Sequence, residues 1–349
     1  MPFRSIVGHV HVVDLLTRAI ARDSLPPSLI LSGPEGVGKR TVALALAQVL
    51  NCTKRTATGD ACGECAACRR IHKRTHPDVL TVDQKGIHPE VIEFEVKEGA
   101  AIINIDVARK VIKLAGFRPY EGRRRVVIID PADAMERPVQ SAFLKVLEEP
   151  PETTTFVLVT AHPDALYATI RSRCPQIRFG ALTVAEITQV LTRQRGLPER
   201  DARAAAIVAA GSVSRAMEAV SEQSTDARAQ ALGVLREAAS SREPRRLLDA
   251  MRAILGMEKK GPSAAAEREQ VALSLQALSS LLRDVTMIGA GGDARELANA
   301  DLETDLEEMA GSFGRARVMR AFVAVDRAIA ALGSNANPKV VVDWLAFQM

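Results

Sequence analysis

The sequence predicts an α/β domain built on a parallel sheet, followed by two all-helical modules. Three observations predict it. Up to about residue 180, short apolar or β-branched runs alternate with amphipathic stretches; a glycine-rich loop joins one such run to a helix; and after Phe179 the strand signals stop. Strands separated by helical segments imply βαβ units, which place helices on both faces of a parallel sheet. The length, 349 residues, exceeds what one hydrophobic core usually holds. The expected division is an α/β domain at 1–179 carrying a cysteine module at 52–68, a small helical domain at 180–222 and a larger helical domain at 223–349.

Taken in order, residues 28–32 form a short apolar run after Pro26 and Pro27, and 41–50 read as the helix beyond the glycine loop. Residues 126–129 and 156–160 are β-branched runs of strand length. Thr183-x-x-Glu186 has the spacing of a capping box and opens a helix through Leu191, and 198–210 supply a second. Farther on, Val271, Leu275, Leu278, Leu282 and Val285 step by four and three, as do Val318, Phe322, Val325, Ile329 and Leu332. Each series draws one apolar stripe that needs partner helices, within the chain or, for part of the area, on another subunit. Residues 258–268 read as a flexible connector.

Composition narrows the class. The chain is 47% hydrophobic and 25% charged, which excludes a disordered or fibrous protein. Nine Phe, two Tyr and one Trp leave the cores to Ala, Leu, Val and Ile. A net charge of +4 identifies no nucleic-acid binder by itself but is compatible with a local basic face. No apolar run approaches the roughly 20 residues a spanning helix needs, and the first ten residues lack a signal-peptide core, so a soluble, cytoplasmic protein is expected.

Gly33-Pro-Glu-Gly-Val-Gly38-Lys39 follows a strand and precedes a helix, the context in which backbone N–H groups cradle phosphate. The next residue is Arg40, where a Ser or Thr hydroxyl would ligate Mg2+, and Thr41 is displaced by one position, or roughly 100° around the helix. Asp130 ends the run Val126-Val-Ile-Ile-Asp130, where a Mg2+-organising carboxylate belongs. Pro131 follows it, and proline has neither the carboxylate nor the N–H to orient an attacking water. Gly33, Gly38, Lys39, Thr41 and Asp130 are therefore candidate nucleotide-binding residues, with ATP/Mg2+ occupancy open and a purely structural glycine turn as the alternative. No independent ATPase turnover is expected.

Four of the five cysteines lie at Cys52-x9-Cys62-x2-Cys65-x2-Cys68. Four thiolates at this spacing suit the closed tetrahedral shell of structural Zn2+, which leaves no open position for a catalytic water. A redox CxxC pair is the rival. His72 and His76, close by, read as surface or capping residues without a metal role.

Together these residues resemble the delta-prime family of bacterial DNA polymerase III clamp-loader subunits, within the AAA+ P-loop group. The motifs that carry the resemblance are Ile6-Val-Gly-His9, the glycine loop, the four-cysteine insertion, His76-Pro-Asp78, Leu147-Glu-Glu-Pro-Pro151, Ser172-Arg-Cys174, Gly211-Ser212 and Asn335-Ala-Asn-Pro338. They are spread over essentially the whole chain. The resemblance implies a P-loop domain bearing the zinc module, a three-helix lid and a helical collar that joins a five-subunit ring with gamma/tau and delta subunits. Sliding clamp and primed DNA would be met through that complex, which belongs to the DNA polymerase III holoenzyme. Arg40 and Pro131 depart from the hydrolysing gamma/tau relatives and fit a non-hydrolysing stator.

The resemblance also implies that Arg173 is presented in trans, as an arginine finger, to ATP on the adjacent subunit; a planar guanidinium can fork onto phosphate oxygens there. The alternative is an ordinary solvated arginine, as Arg171 and Arg178 are read to be. Cys174 reads as a small buried hydrophobe. Arg109, Lys110 and Lys113 are placed on the polar side of a helix whose apolar face is Ile105, Ala108, Ile112 and Ala115, and Arg123-Arg-Arg125 follows. This basic strip could track a phosphate backbone or be a solvated face. The leading function is a non-hydrolysing clamp-loader subunit. The alternatives are an active gamma/tau-type ATPase and a zinc-dependent nucleic-acid-binding module with a vestigial P-loop.

Overall fold

A computed structural model describes the chain except for residues 84–85, 89–102, 241–242, 255–263, 294–295 and 334–335. It divides into two compact units, Met1–Glu186 and Ile187–Met349.

The first unit is a six-stranded sheet between two helical layers. Its strands are β1 (Ser28–Ser32), β2 (Val79–Asp83), β3 (Gly86–His88), β4 (Arg125–Ile129), β5 (Thr154–Thr160) and β6 (Gln176–Arg178), arranged β3-β2-β4-β5-β1-β6. All neighbours are parallel except β2 and β3, which form an antiparallel hairpin at the edge. β3 and β6 escape the sequence reading because each is only three residues long, and β2, though as long as β1 and β4, escapes it too. The helices are α1 (Val10–Ala21), α2 (Lys39–Asn51), α3 (Ala66–His72), α4 (Ile105–Ala115), α5 (Arg137–Glu148) and α6 (Ala168–Arg173).

Strand residues alternate between two cores. Leu29, Leu31, Val126, Ile128, Val157 and Val159 face α1, α2 and α3, whereas Ile30, Val127, Ile129, Phe156 and Leu158 face α4, α5 and α6. This two-sided burial explains why β1, β4 and β5 read as continuous apolar runs rather than as alternating ones. Phe143 of α5 meets Phe156 of β5 edge to face at 6.4 Å.

Two sequence placements need correction. The buried face of α4 is Val107, Ala108, Val111 and Ala115, with Ile105 and Ile112 only partly covered. Arg125 is not part of an open basic strip, since it is buried with its guanidinium on Asp78 at 2.9 Å. Arg109 stays exposed beside Asp106.

The second unit is helical: α7 (Val184–Arg195) runs into it, followed by α8 (Glu199–Val208), α9 (Val213–Ala219), α10 (Glu222–Ser240), α11 (Pro244–Ile254), α12 (Ala264–Gly289), α13 (Glu303–Phe313), α14 (Arg315–Gly333) and α15 (Pro338–Ala346). At the entrance to α7 the capping box forms in both directions: Thr183 Oγ1 accepts from Glu186 N at 3.2 Å, and Thr183 N donates to Glu186 Oε2 at 2.8 Å. The α12 stripe of Val271, Leu275, Leu278, Leu282 and Val285 is fully buried in a core shared with α10, α13, α14 and α15. Of the α14 stripe, Val318, Val325 and Leu332 are buried and Phe322 and Ile329 pack at its margin.

The connector expected at 258–268 ends early, because α12 already begins at Ala264; 258–263 lie outside the described residues. Asn335 of the last sequence motif lies outside them too. One stretch of α12, Glu267–Gly289, is long and apolar enough by length and composition to cross a membrane, although charged and polar residues interrupt it. Its apolar stripe is spent on the bundle core, as expected for the central helix of a helical bundle.

Candidate functional site: a phosphate loop, a cysteine cluster and an exposed arginine

The parallel strands β1, β4 and β5 end together, and the chain puts its polar groups at that edge, where open α/β sheets take ligands. Gly33 leaves β1 with φ 145° and could carry no Cβ, which would lie 2.4 Å from the Phe179 carbonyl oxygen. Gly38, at φ 103°, caps α2 in a conformation L side chains rarely adopt. His9 supports the loop from outside: its Nε2 is 2.8 Å from the Val37 carbonyl oxygen and its ring packs on Phe179 at 4.8 Å. The sequence held the signal for this role only as an unexplained motif around His9.

Lys39 is buried, and its Nζ donates to the carbonyl oxygens of Gly33 and Pro34, each at 2.6 Å. Burial lowers its pKa, opposed by the carboxylates of Asp130, Glu35 and Asp133. Arg40 turns its guanidinium back across the strand ends. Nε lies 3.6 Å from Asp130 Oδ2 and Nη2 lies 3.5 Å from Asp83 Oδ2. Asp83, at the end of β2, is a site residue the sequence reading missed, because β2 itself went unrecognised. His88 Nε2 is 3.5 Å from its other carboxylate oxygen. Burial raises the pKa of Asp130, against the pull of Arg40 and Lys39. At the end of β5, Thr160 Oγ1 donates to Asp133 Oδ1 at 2.5 Å.

The four sulfurs of Cys52, Cys62, Cys65 and Cys68 lie within 4.8 Å of one another. Cys52 and Cys65 are 4.0 Å apart, close to the edge of about 3.8 Å that Zn–S bonds of about 2.3 Å give a tetrahedron. The loop also aims donors at these sulfurs: Cys62 N reaches Cys52 Sγ at 3.3 Å, Cys65 N reaches Cys62 Sγ at 3.3 Å, and Cys68 N reaches Cys65 Sγ at 3.5 Å. Burial disfavours the Cys65 thiolate, but the Cys68 N–H and the Thr53 groups outweigh it and bring that thiol down to about 5. Burial pushes the Cys52 and Cys68 thiols up. The donor set, four sulfurs within one tetrahedral shell's reach, fits Zn2+. Gln48 Nε2 to the Cys68 carbonyl at 2.7 Å ties the cluster to α2, and Asp60, accepting from the N–H groups of Phe3 and Arg4, ties it to the N-terminal segment.

His72 is exposed as expected, but His76 is not a surface residue: it is 1% exposed, and its Nδ1 accepts the N–H of Asp78 at 3.2 Å. Asp78 is the centre of a buried anion site, accepting from the N–H groups of Tyr120, Glu121 and Gly122 at 2.7 to 2.9 Å as well as from Arg125.

Arg173 is the last residue of α6 and is exposed. Its Nη1 donates to the Thr169 carbonyl at 2.9 Å, and its Nη2 pairs with Glu148 Oε1, at the end of α5, at 2.5 Å. It precedes the start of β6, whereas the glycine loop follows the end of β1, to which β6 is paired in parallel. Arg173 and the glycine loop thus lie toward opposite ends of the same strands. Arg171 pairs with Asp164, and Cys174 is buried, with its thiol pushed up to about 11 by burial.

A glycine loop after β1, an acidic end to β4 and helices on both faces of a largely parallel sheet, followed by a helical region, define a P-loop protein of the AAA+ class. The model of the family described as "DNA polymerase III, delta subunit" matches residues 8–183, more than half of the sequence, and the chain belongs to that family. Among curated relatives, the DNA polymerase III subunit delta' of Pseudomonas aeruginosa is 37% identical over 147 residues, covering 42% of this chain and 41% of that protein. The subunit tau of Escherichia coli is 34% identical over 190 residues (54% and 27%), and the subunit tau/gamma of Haemophilus influenzae 31% over 202 residues (57% and 27%). The chain spans between about a quarter and two fifths of the length of these three relatives.

Proposed function

We propose that the chain is a non-hydrolysing subunit of a DNA polymerase III clamp loader, working in the cytoplasm. In this reading 1–179 form the P-loop domain with a Zn2+ module on Cys52, Cys62, Cys65 and Cys68, 180–222 a lid, and 223–349 a collar that joins gamma/tau and delta subunits in a ring. Gly33, Gly38, Lys39, Thr41 and Asp130 mark the phosphate-binding end, and Arg173 serves in trans the nucleotide of a neighbouring subunit. Sliding clamp and primed DNA are reached through the assembled complex.

The observation that carries this reading is the end of β4. A hydrolysing site needs a carboxylate to orient water beside the one that organises metal. Here Asp130 is followed by Pro131 and is already paired with the Arg40 guanidinium. The groups that accelerate hydrolysis are thus missing from this chain's own loop, while an arginine stands exposed at the far end of the sheet. The gamma/tau-type reading draws on the tau relatives, which match more of the chain than the delta' relative does. An ATPase assay on the purified chain separates the two. Our reading expects no turnover above background, and turnover of about 1 per second or faster, abolished by Lys39→Ala, would replace it with the ATPase reading. A zinc-dependent nucleic-acid-binding module would instead shift primed DNA as the isolated chain, with Arg125 unavailable for it.

A further inference from the structure

We propose that Arg40 is a built-in counter-ion occupying the divalent-cation position of the glycine loop, so that a nucleoside di- or triphosphate enters this loop without Mg2+. The inference rests on reading 33–39 as a phosphate loop and is independent of the ring assignment.

Magnesium requires near-octahedral oxygen ligands at about 2.1 Å and is usually held by one or two carboxylates together with substrate phosphates. The carboxylates are present, Asp83 at the end of β2 and Asp130 after β4, on strands that are direct neighbours. Both already face the same guanidinium, at 3.5 and 3.6 Å. A dication brought to them would have to displace Arg40 or sit against its positive charge. The hydroxyl that would complete the shell is also absent at position 40, and Thr41 points elsewhere around α2. Arg74 adds a second positive field on this pair of carboxylates, and His88 leans on Asp83. The residues present do not fit Mg2+.

They do fit a metal-free polyphosphate. Arg40 Nε and Nη2 are buried and have no hydrogen-bond partner among the described residues, since the two carboxylates stand at ion-pair rather than hydrogen-bond distance. A guanidinium in that state offers a planar fork to phosphate oxygens, which ammonium and metal ions match only as point charges. Lys39 is bound to the Gly33 and Pro34 carbonyls and must leave them to meet a phosphate, so the affinity is expected to be modest.

The test uses the zinc-loaded full-length chain with ADP and Mn2+ as probes. ADP titrated by fluorescence should bind the parent with the same affinity with Mg2+ added and with Mg2+ omitted, no chelator being present so that zinc is retained, and a loss of about tenfold or more on omission would overturn the proposal. Mn2+ uptake, read by electron paramagnetic resonance, covers the case in which ADP is too weak to titrate. The parent should take up no Mn2+ at this position, Arg40→Thr should gain a site that Asp130→Asn removes again, and Arg40→Lys, which keeps a cation in place, should not. Equal Mn2+ uptake by the parent and Arg40→Thr, at whatever level, would overturn it. ATP hydrolysis by the parent would sink the non-hydrolysing function but leave this metal test to be read separately.

Discussion

Asp78 is fully buried yet ionised, and the reason is local. Burial alone would raise its pKa, but the Arg125 guanidinium and the N–H groups of Glu121, Tyr120 and Gly122 outweigh that and hold the carboxyl below its ordinary 3.8. A carboxylate whose folded pKa is depressed contributes stability above its unfolded pKa, and that contribution is lost as the pH falls through the folded value. His76, whose pKa is lowered by burial against Glu121 and Asp78, acts in a higher window: its neutral form is favoured in the fold, so stability declines as the pH drops below about 6.5. Acid unfolding should therefore show two stages. Asp78→Asn leaves Arg125 buried without its anion and should cost about 3–5 kcal/mol at neutral pH, while flattening the stage below pH 4; chemical denaturation across pH checks both. An unchanged low-pH stage would mean that other carboxylates govern it.

At the scale of elements, the cysteine loop is a clip between the end of α2 and the start of α3. Elemental analysis of protein purified without chelator should find one Zn2+ per chain, and Cys62→Ser should drop the content well below that. Chelation should raise hydrogen exchange over 52–72 and leave β1, β4 and β5 protected, because the sheet has its own apolar cores. A sheet that lost protection in step with the metal would show that the module supports the whole unit. On the other face, α5 is held by Phe143 against Phe156. Truncating Phe143 to Ala should cost about 3–5 kcal/mol through lost contact and cavity, measured as a lower denaturation midpoint with unchanged slope. The α7 capping box is a smaller device: Thr183→Ala should cost about 1 kcal/mol.

For the molecule as a whole, the decisive question is what the exposed arginine meets. Arg173→Ala in a reconstituted clamp loader should leave zinc content and assembly intact while lowering DNA- and clamp-stimulated ATP hydrolysis. The loss should be partial, since only one of several nucleotide sites would be deprived. Arg173→Lys should restore little, because a point charge cannot reproduce the fork. Within this chain Glu148 already engages the guanidinium, so Glu148→Gln should not mimic Arg173→Ala if that contact merely parks the side chain. A complex carrying Arg173→Ala that hydrolysed ATP like the parent would remove the finger and leave the scaffold.

The sequence by itself determined the local events: β1, β4 and β5 as apolar runs, the glycine loop, the Thr183–Glu186 cap, the α12 and α14 stripes and the four-cysteine set. Each rests on residues within a few positions of one another, where periodicity and steric preference act. Tertiary structure decided where charges find their partners. Arg125 read as part of a basic run because its neighbours in sequence are arginines, yet its neighbour in space is Asp78, 47 residues earlier. His76 looked peripheral until the fold placed Glu121 beside it. Arg40 could be seen to lack a hydroxyl, but its pairing with Asp83 and Asp130 required β2 and β4 to lie side by side, a register set by long-range hydrogen bonds. Coulomb interactions depend on distance and burial, neither of which is encoded at a single position.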